Sequence, residues 1–134
     1  MNDFSNDKPV LFIDQKKARI RIHRNTLHML GDPAFIQLLV NPESLTLAIR
    51  PAACADALAH RILWKKIGDK QSYELHSSCL IRKFQGMCSG WECGESYRLF
   101  GEMLHSENIA LFDLKKALPA SLTQEECHEQ SPEN

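Results

Sequence analysis

The stretch ARIRIHRNTLHMLGDPAFIQLL, residues 18–39, carries the strongest structural signals in this chain. Ile20 and Ile22 alternate with charged residues, which predicts a strand with one buried face, because successive strand side chains point to opposite sides. Leu27 and Leu30 then lie three residues apart, which predicts a short helix that ends at Gly31. FIQLL begins a second apolar run. A strand, a helix of one or two turns and another strand are therefore expected within about twenty residues.

The flanking segments extend this pattern. Asn25 or Thr26 is expected to cap the helix, because a short polar side chain accepts a hydrogen bond from the unpaired amides of a first turn. Upstream, PVLFID (9–14) is a short apolar strand. Downstream, FIQLLV and LTLAIR flank the turn-forming NPES (41–44), so they are expected to pair as a hairpin. Residues 9–51 thus form a first unit of strands, short helix and hairpin.

The same order of elements returns after residue 71. SYELHS alternates, CLIRKF has helical spacing, and YRLFGEML and IALFDL flank HSEN (105–108). The spacing is preserved across the strand and helix start when Ile20, Ile22, His23 and Leu27 are set against Tyr73, Leu75, His76 and Leu80. We therefore predict an internal duplication, with residues 72–118 as the second repeat. In the connecting segment, residues 52–71, AACADALAH favours helix, whereas RILWKK is compatible with helix or strand.

The resulting fold class is a strand-rich α+β domain in which two similar halves share one core around a pseudo-two-fold axis. Alternation in the strands and three-to-four spacing in the helices select the core residues. The predicted core is Ile20, Ile22, Leu27, Leu30, Ile36, Leu38 and Ile49 in the first half, and Tyr73, Leu75, Leu80, Leu99, Leu111 and Leu114 in the second.

Composition and charge indicate a globular cytoplasmic protein. The chain has 134 residues, of which 43% are hydrophobic and 25% charged, and no apolar run approaches a membrane span or a signal peptide. Residues 1–8 are expected to be a flexible N-terminus and residues 119–134 an acidic disordered tail. The net charge is −1, but the tail holds four glutamates and no lysine or arginine, so the remainder is basic. The most basic segment is QKKARIRIHR (15–24). Its charges are also those of an edge strand that is protected from aggregation, so they do not by themselves indicate a binding site.

Residues 12–51, FIDQKKARIRIHRNTLHMLGDPAFIQLLVNPESLTLAIRP, resemble the DNA-binding domain of AbrB and SpoVT regulators and MazE-type antitoxins. Asp14 matches the aspartate that begins the family's turn, and Leu30 and Gly31 match the Leu-Gly pair that ends its helix. Arg19 falls near the arginine of the family's strand. Ala18 stands where the family has glycine. The resemblance implies a swapped-hairpin barrel made from two copies of the unit, which MraZ-like proteins carry in one chain. It covers about forty residues directly, and the second half only through the internal repeat.

The resemblance implies a DNA-binding transcriptional regulator or an antitoxin-like factor that is not an enzyme and needs no cofactor. The expected oligomeric state is a monomer acting as a pseudo-dimer, or a homodimer, with no membrane partner. Arg82 and Lys83 resemble the basic pair that many members carry on the helix, where the first copy offers His28. The residues predicted to contact double-stranded DNA are Lys16, Lys17, Arg19, Arg21, Arg24, Arg82 and Lys83. The alternative is a protein-interaction or assembly module that has lost DNA binding.

No catalytic or metal site is predicted. The five cysteines are Cys54, Cys79, Cys88, Cys93 and Cys127, an odd number that favours reduced thiols over a disulfide framework. His76 and the nearby cysteines offer zinc-type ligands but no C-x-x-C spacing, so buried or partly buried thiols are the preferred interpretation. Trp64, Trp91 and Tyr97 are interpreted as core or interface anchors.

Overall fold

A computed structural model describes residues 8–120 of the chain. The strands in this range are β1 (Val10–Asp14), β2 (Arg19–His23), β3 (Phe35–Asn41), β4 (Thr46–Ala52), β5 (His60–Arg61), β6 (Ser72–His76), β7 (Ser96–Leu104), β8 (Ile109–Asp113) and β9 (Leu118–Pro119). The helices are α1 (Arg24–Met29), α2 (Trp64–Ile67) and α3 (Ser78–Met87), followed by a 3₁₀ turn at Leu114–Lys116. The predicted N-terminus over residues 1–7 and the acidic tail over residues 121–134 lie outside the described residues.

The strands join into one curled antiparallel sheet with the shape of a half-barrel, and the predicted strand-rich fold class is confirmed. The strand order is β5-β3-β4-β8-β7-β1-β2-β6, and β9 pairs with β7. Every pairing in this sheet is antiparallel. The concave face holds the core, while the side chains of the opposite face meet solvent.

The predicted elements of the first half are present, but the predicted helix cap is wrong. Strand β2 runs directly into α1, so its last residue, His23, takes the cap position and its ring Nδ1 accepts the amide of Asn25 at 3.1 Å. Thr26 is buried, and its hydroxyl accepts the amide of Val10 at 2.9 Å, which ties β1 to α1. Gly31, with φ of 90°, follows the helix as predicted, since its left-handed conformation favours glycine.

The connecting segment contains both a strand and a helix, each very short. The alanine-rich residues expected to favour helix instead extend β4 to Ala52 and then form turns. The carboxylate of Asp56 accepts the amide of Ala53 at 2.8 Å, and such a side-chain bond competes with helix formation. Further on, β5 pairs with the start of β3, and α2 follows it.

Three strand pairings join the two halves of the chain, and a fourth joins the connecting segment to the first half. Strand β2 pairs with β6, placing Ile20 opposite Leu75 and Ile22 opposite Tyr73, and β4 pairs with β8. In addition, β1 pairs with β7, while β5 pairs with β3. The order strand, helix, hairpin therefore occurs in both halves, and each hairpin is bordered by a strand from elsewhere in the chain.

Ten of the thirteen predicted core residues are buried, and the exceptions are Leu38, Leu80 and Leu111. Leu38 and Leu80 are half-buried and pack against the core. Leu111 was assigned to the wrong face of β8, because Ala110 and Phe112 are the fully buried residues there. The pairing of Phe112 with the buried Leu47 on β4 sets this register, which the apolar run IALFDL does not reveal.

Strand β7 changes partners at Gly101, where the neighbouring strand approaches the backbone closely. Residues 96–100 pair with β1, whereas residues 101–104 pair with β8. A Cβ at Gly101 would lie 2.5 Å from the carbonyl oxygen of Leu111 and 2.7 Å from the Phe112 ring. A glycine inside a strand often marks such a close backbone approach. Across residues 8–120, no helix has the length and apolar character to cross a membrane.

Candidate nucleic-acid interface

The turn between β1 and β2, residues 15–18, lies alongside α3. The amide of Ser77 donates to the carbonyl of Ala18 at 3.0 Å next to the start of this helix. Further along, Gln85 Nε2 donates to Gln15 Oε1 at 2.9 Å. Gln15 is only 8% exposed, so its polar side chain serves as an internal tie. The turn is thus held against the helix at two points.

Four of the predicted DNA-binding residues belong to this end of the molecule. Lys16 and Lys17 are exposed in the turn, and Arg82 and Lys83 are exposed on α3 between the two contact points. We call these four residues the turn–helix patch. Arg82 lies three residues before Gln85 and therefore on the side of the helix that contacts the turn, whereas Lys83, two residues before Gln85, lies on the far side of α3. Long exposed cations on adjacent elements are suited to contact an anionic surface.

The loop that follows α3 is acidic and contacts the same turn. Gln15 Nε2 donates to the backbone carbonyls of Glu92 and Glu95, at 2.8 Å each. The Lys16 side chain passes beside Gly94 of this loop. Two glutamates therefore border the turn–helix patch and reduce its net positive potential.

Arg19, in contrast, is engaged within the protein. Its guanidinium lies 2.9 Å from the Asp14 carboxylate and 3.2 Å from that of Glu74 on β6. The side chains of Arg19 and Asp14 are only 14% and 12% exposed. Burial tends to raise the pKa of the Asp14 carboxyl, but the Lys17 amide and the Arg19 guanidinium bring the net pKa below its usual 3.8. The strand arginine that the resemblance singled out is thus part of a mostly buried ion pair.

The last two predicted residues lie further along β2. Arg21 has its Nε 3.3 Å from the Glu74 carboxylate, and its guanidinium carbon is 5.8 Å from the Phe12 ring centroid. Arg24 donates from its side chain to the carbonyl of Gly68, beyond the far end of β2. Of the seven predicted residues, four are exposed in the turn or on α3. Arg19 lies beside the turn but is held in ion pairs, and Arg21 and Arg24 lie further along β2.

Sequence reasoning missed a groove on the outer face of β7, β1 and β2. Its volume is about 520 Å³. The residues that line this outer groove are Val10, Phe12, Arg21, His23, Gln71, Ser72, Arg98 and Phe100. The alternation of YRLFGEML, with Tyr97 and Leu99 buried, would have placed Arg98 and Phe100 outside. Their position beside Phe12 required the β1–β7 pairing, which joins residues almost ninety positions apart.

A second cavity, of about 640 Å³, lies beside the loop that follows α3. Trp91 and Tyr97 stack in its wall with ring centroids 4.4 Å apart. Elsewhere, Trp64 donates its indole N–H to the carbonyl of Pro33 at 3.0 Å. Trp64 and Trp91 both pack against the core, in agreement with their interpretation as anchors.

The cysteines differ in exposure. Cys88 is buried in the wall of the second cavity, and burial raises the pKa of its thiol. Cys79 and Cys93 are exposed, which corrects the expectation of buried or partly buried thiols near His76, and Cys54 is exposed as well. They fall on turns or an outward helix face where core packing does not reach. Within residues 8–120, no three His, Cys, Asp or Glu side chains are grouped to hold a metal ion.

Comparisons with protein-family models, curated proteins and solved structures found no match to this chain.

Proposed function

We propose that the chain is a non-enzymatic regulator that binds double-stranded DNA and has an internally duplicated, AbrB-like fold. The reciprocal strand pairings support the duplication. If β1 to β4 correspond to β5 to β8, the β1–β7 pairing requires a β5–β3 pairing, which is present. The β2–β6 and β4–β8 pairings then lie on a two-fold axis. The second copy departs from the first in having α2 where the first has the β1–β2 turn.

A duplicated unit makes one chain equivalent to a dimer. Strand β1 of one half completes the sheet next to the hairpin of the other, and both halves contribute to one core. A second chain is then not required to cover the hairpins. We accordingly propose that the monomer is the pseudo-dimer that the resemblance implies.

The observation that carries the DNA-binding proposal is the turn–helix patch. Lys16 and Lys17 come from one proposed repeat and Arg82 and Lys83 from the other, and two hydrogen bonds hold their elements together. Cations on a fixed framework neutralise phosphates and release condensed counterions, which provides affinity without sequence readout. Arg19 acts in this proposal as a support that orders the turn through Asp14, whose carboxylate accepts the Lys17 amide at 3.2 Å.

Duplex binding at two salt concentrations tests this proposal. The full chain is titrated into a labelled random-sequence duplex of about 20 base pairs at about 50 and 200 mM salt, and fluorescence anisotropy is measured. The variant Lys16→Ala/Lys17→Ala should bind more weakly and reduce the logarithmic salt slope by roughly 1.8, at about 0.9 for each phosphate contact. The matched control is Lys115→Ala/Lys116→Ala, which removes another adjacent pair of exposed lysines. Equal binding by both variants would contradict the assigned patch.

The alternative function, a protein-interaction module, is favoured by the edge of β3. Strand β5 pairs only with Phe35 and Ile36, and no strand in residues 8–120 pairs with residues 37–41 on that edge. Leu39 in this segment is 40% exposed. An unpaired edge is a surface on which a partner can add a strand. Absence of duplex binding by the wild-type chain at low salt would leave this alternative as the better proposal.

A further inference from the structure

We propose that the outer groove binds single-stranded nucleic acid, with bases stacked on Phe12 and Phe100 and the backbone held by Arg21 and Arg98. This site is separate from the turn–helix patch. The patch lies at the turn that joins β1 and β2, whereas the groove extends toward the opposite ends of these strands, at Val10 and His23.

The two phenylalanines form a platform on adjacent strands. In the β1–β7 register, Phe12 pairs with Arg98 and Val10 pairs with Phe100. Paired residues share a face, so both rings and both neighbours lie on the outer surface of the sheet. Phe100 is 50% exposed, which is unusual for a large apolar ring on a central strand. Aromatic rings exposed on a sheet are stacking surfaces for bases, and every base has a face that stacks.

The charges around the rings suit an anionic ligand. Arg98 and Arg21 flank Phe12 in one row across three strands. Among residues 8–120 no carboxylate lines the outer groove, and the nearby Glu74 is engaged by Arg19 and Arg21. Among the described residues, no ion pair engages Arg98. The groove therefore combines apolar rings with Arg98 and with Arg21, whose charge is partly balanced by Glu74.

His23 adds a hydrogen-bond donor at the end of the groove. Its Nδ1 accepts the amide of Asn25 at 3.1 Å, so in the neutral ring the proton is on Nε2. A donor of this kind, together with Gln71 and Ser72, can reach base edges or phosphate oxygens.

A single strand matches this surface better than a duplex does. In a duplex the base faces are covered by their neighbours, and only the base edges are reachable in the grooves. The exposed ring of Phe100 and the half-buried ring of Phe12 gain stacking energy only from unpaired bases. The same site would also admit a free nucleotide or an apolar protein segment, and the experiment below distinguishes both from the single strand.

The test uses the full chain and labelled oligothymidine of about 12 nucleotides, which has no self-complementarity, with anisotropy as the readout. Phe100→Leu keeps an apolar side chain but removes the ring, and should weaken binding roughly tenfold, since stacking contributes about 1 to 3 kcal/mol per base. Arg98→Ala should weaken binding and lower the salt slope by about 0.7. The matched controls are Leu39→Ala and Arg61→Ala, which remove an exposed leucine and an exposed arginine elsewhere.

Four results would overturn the proposal. Wild-type chain that does not bind oligothymidine at about 50 mM salt has no single-strand site. Full binding by both Phe100→Leu and Arg98→Ala would place the site elsewhere. Thymidine monophosphate that competes as well as the oligomer would make a free nucleotide the ligand. Retention by Phe100→Leu with loss in Phe100→Ala would indicate an apolar, protein-like contact instead of stacking. Because the Lys16→Ala/Lys17→Ala variant leaves the groove intact, failure of duplex binding and failure of single-strand binding are distinguishable.

Discussion

The two faces of the central strands β7, β1, β2 and β6 differ in the interactions that their side chains make. The inner face is apolar: Leu11, Ile13, Ile20 and Ile22 are fully buried, and Tyr73 and Tyr97 are buried beside them. The outer face mixes rings and charges, and its ion pairs join residues up to fifty-five positions apart. The inner face is determined by local alternation, whereas the outer face is determined by which strands become neighbours. A basic strand in the sequence is therefore not necessarily a basic surface in the fold.

The largest expected effect comes from the inner face. Ile22→Ala removes a fully buried side chain from the centre of the sheet and should lower the free energy of unfolding by about 2 to 5 kcal/mol through lost transfer energy and a cavity. Chemical denaturation measures this change. Leu39→Ala, at a position 40% exposed, is the matched control and should cost under about 1 kcal/mol. Similar costs for both would mean that the faces are not distinguished as described.

Much of the fold could be predicted from the sequence because the decisive signals are local. The Ile20 and Ile22 alternation, the glycine at residue 31 and the NPES turn each act over a few residues, and each was interpreted correctly. The errors have two causes. Leu111 faces outward because β8 pairs with β4, a distant partner. The predicted cap at Asn25 or Thr26 fails because β2 runs directly into α1, so that the helix begins at Arg24 and His23 is its cap.

The candidate site was less predictable than the core. The high density of positive charge indicates QKKARIRIHR as a candidate binding segment. The sequence does not indicate which of these cations lie next to acidic residues in the fold. Arg19 meets Glu74 only through the β2–β6 pairing, and Phe12 meets Arg98 only through the β1–β7 pairing. The lysines of the turn remain exposed because α3 contacts the turn through Gln15 and its backbone.

A smaller effect is expected from the ion pair on the outer face. Arg19→Ala leaves the mostly buried Asp14 carboxylate without its partner. We expect this to lower the free energy of unfolding by about 2 to 3 kcal/mol, which is less than the cost of removing one partner from a fully buried ion pair. The Arg19 Nε has no hydrogen-bond partner within the described residues, so its removal offsets part of the loss. Thermal and denaturant melts measure the change.

The control for this prediction is Arg82→Ala. Arg82 is exposed on α3, and its replacement should change stability by less than about 0.5 kcal/mol. If Arg19→Ala were equally neutral, Arg19 would be available to bind phosphates directly, and the distinction between the strand arginine and the turn–helix patch would not hold.

The smallest expected effect is a pH dependence that isolates Asp14. Its pKa lies below the usual 3.8, because hydrogen bonding from Lys17 and the charge of Arg19 outweigh burial. Folding therefore favours the ionised carboxylate, and this contribution is present above pH 3.8 and is lost as the pH falls through the folded-state pKa. Asp14→Asn should be less stable than wild type at pH 7, and the difference should shrink as the pH falls below 3.8.

Asp113 provides the internal comparison for that titration. Its pKa is also lowered: burial alone would raise it, but hydrogen bonds and charge from Lys115 and the charge of Lys116 prevail. Asp14→Asn should therefore retain part of the acid dependence, and Asp14→Asn/Asp113→Asn should retain less. Adding Arg19→Ala to Asp14→Asn should cost less than Arg19→Ala alone, because the carboxylate that needed a partner is already gone. Denaturant melts from pH 7 to about pH 2.5 give all these differences. A constant gap between wild type and Asp14→Asn across that range would show that the carboxylate contributes by shape and hydrogen bonding alone, without its charge.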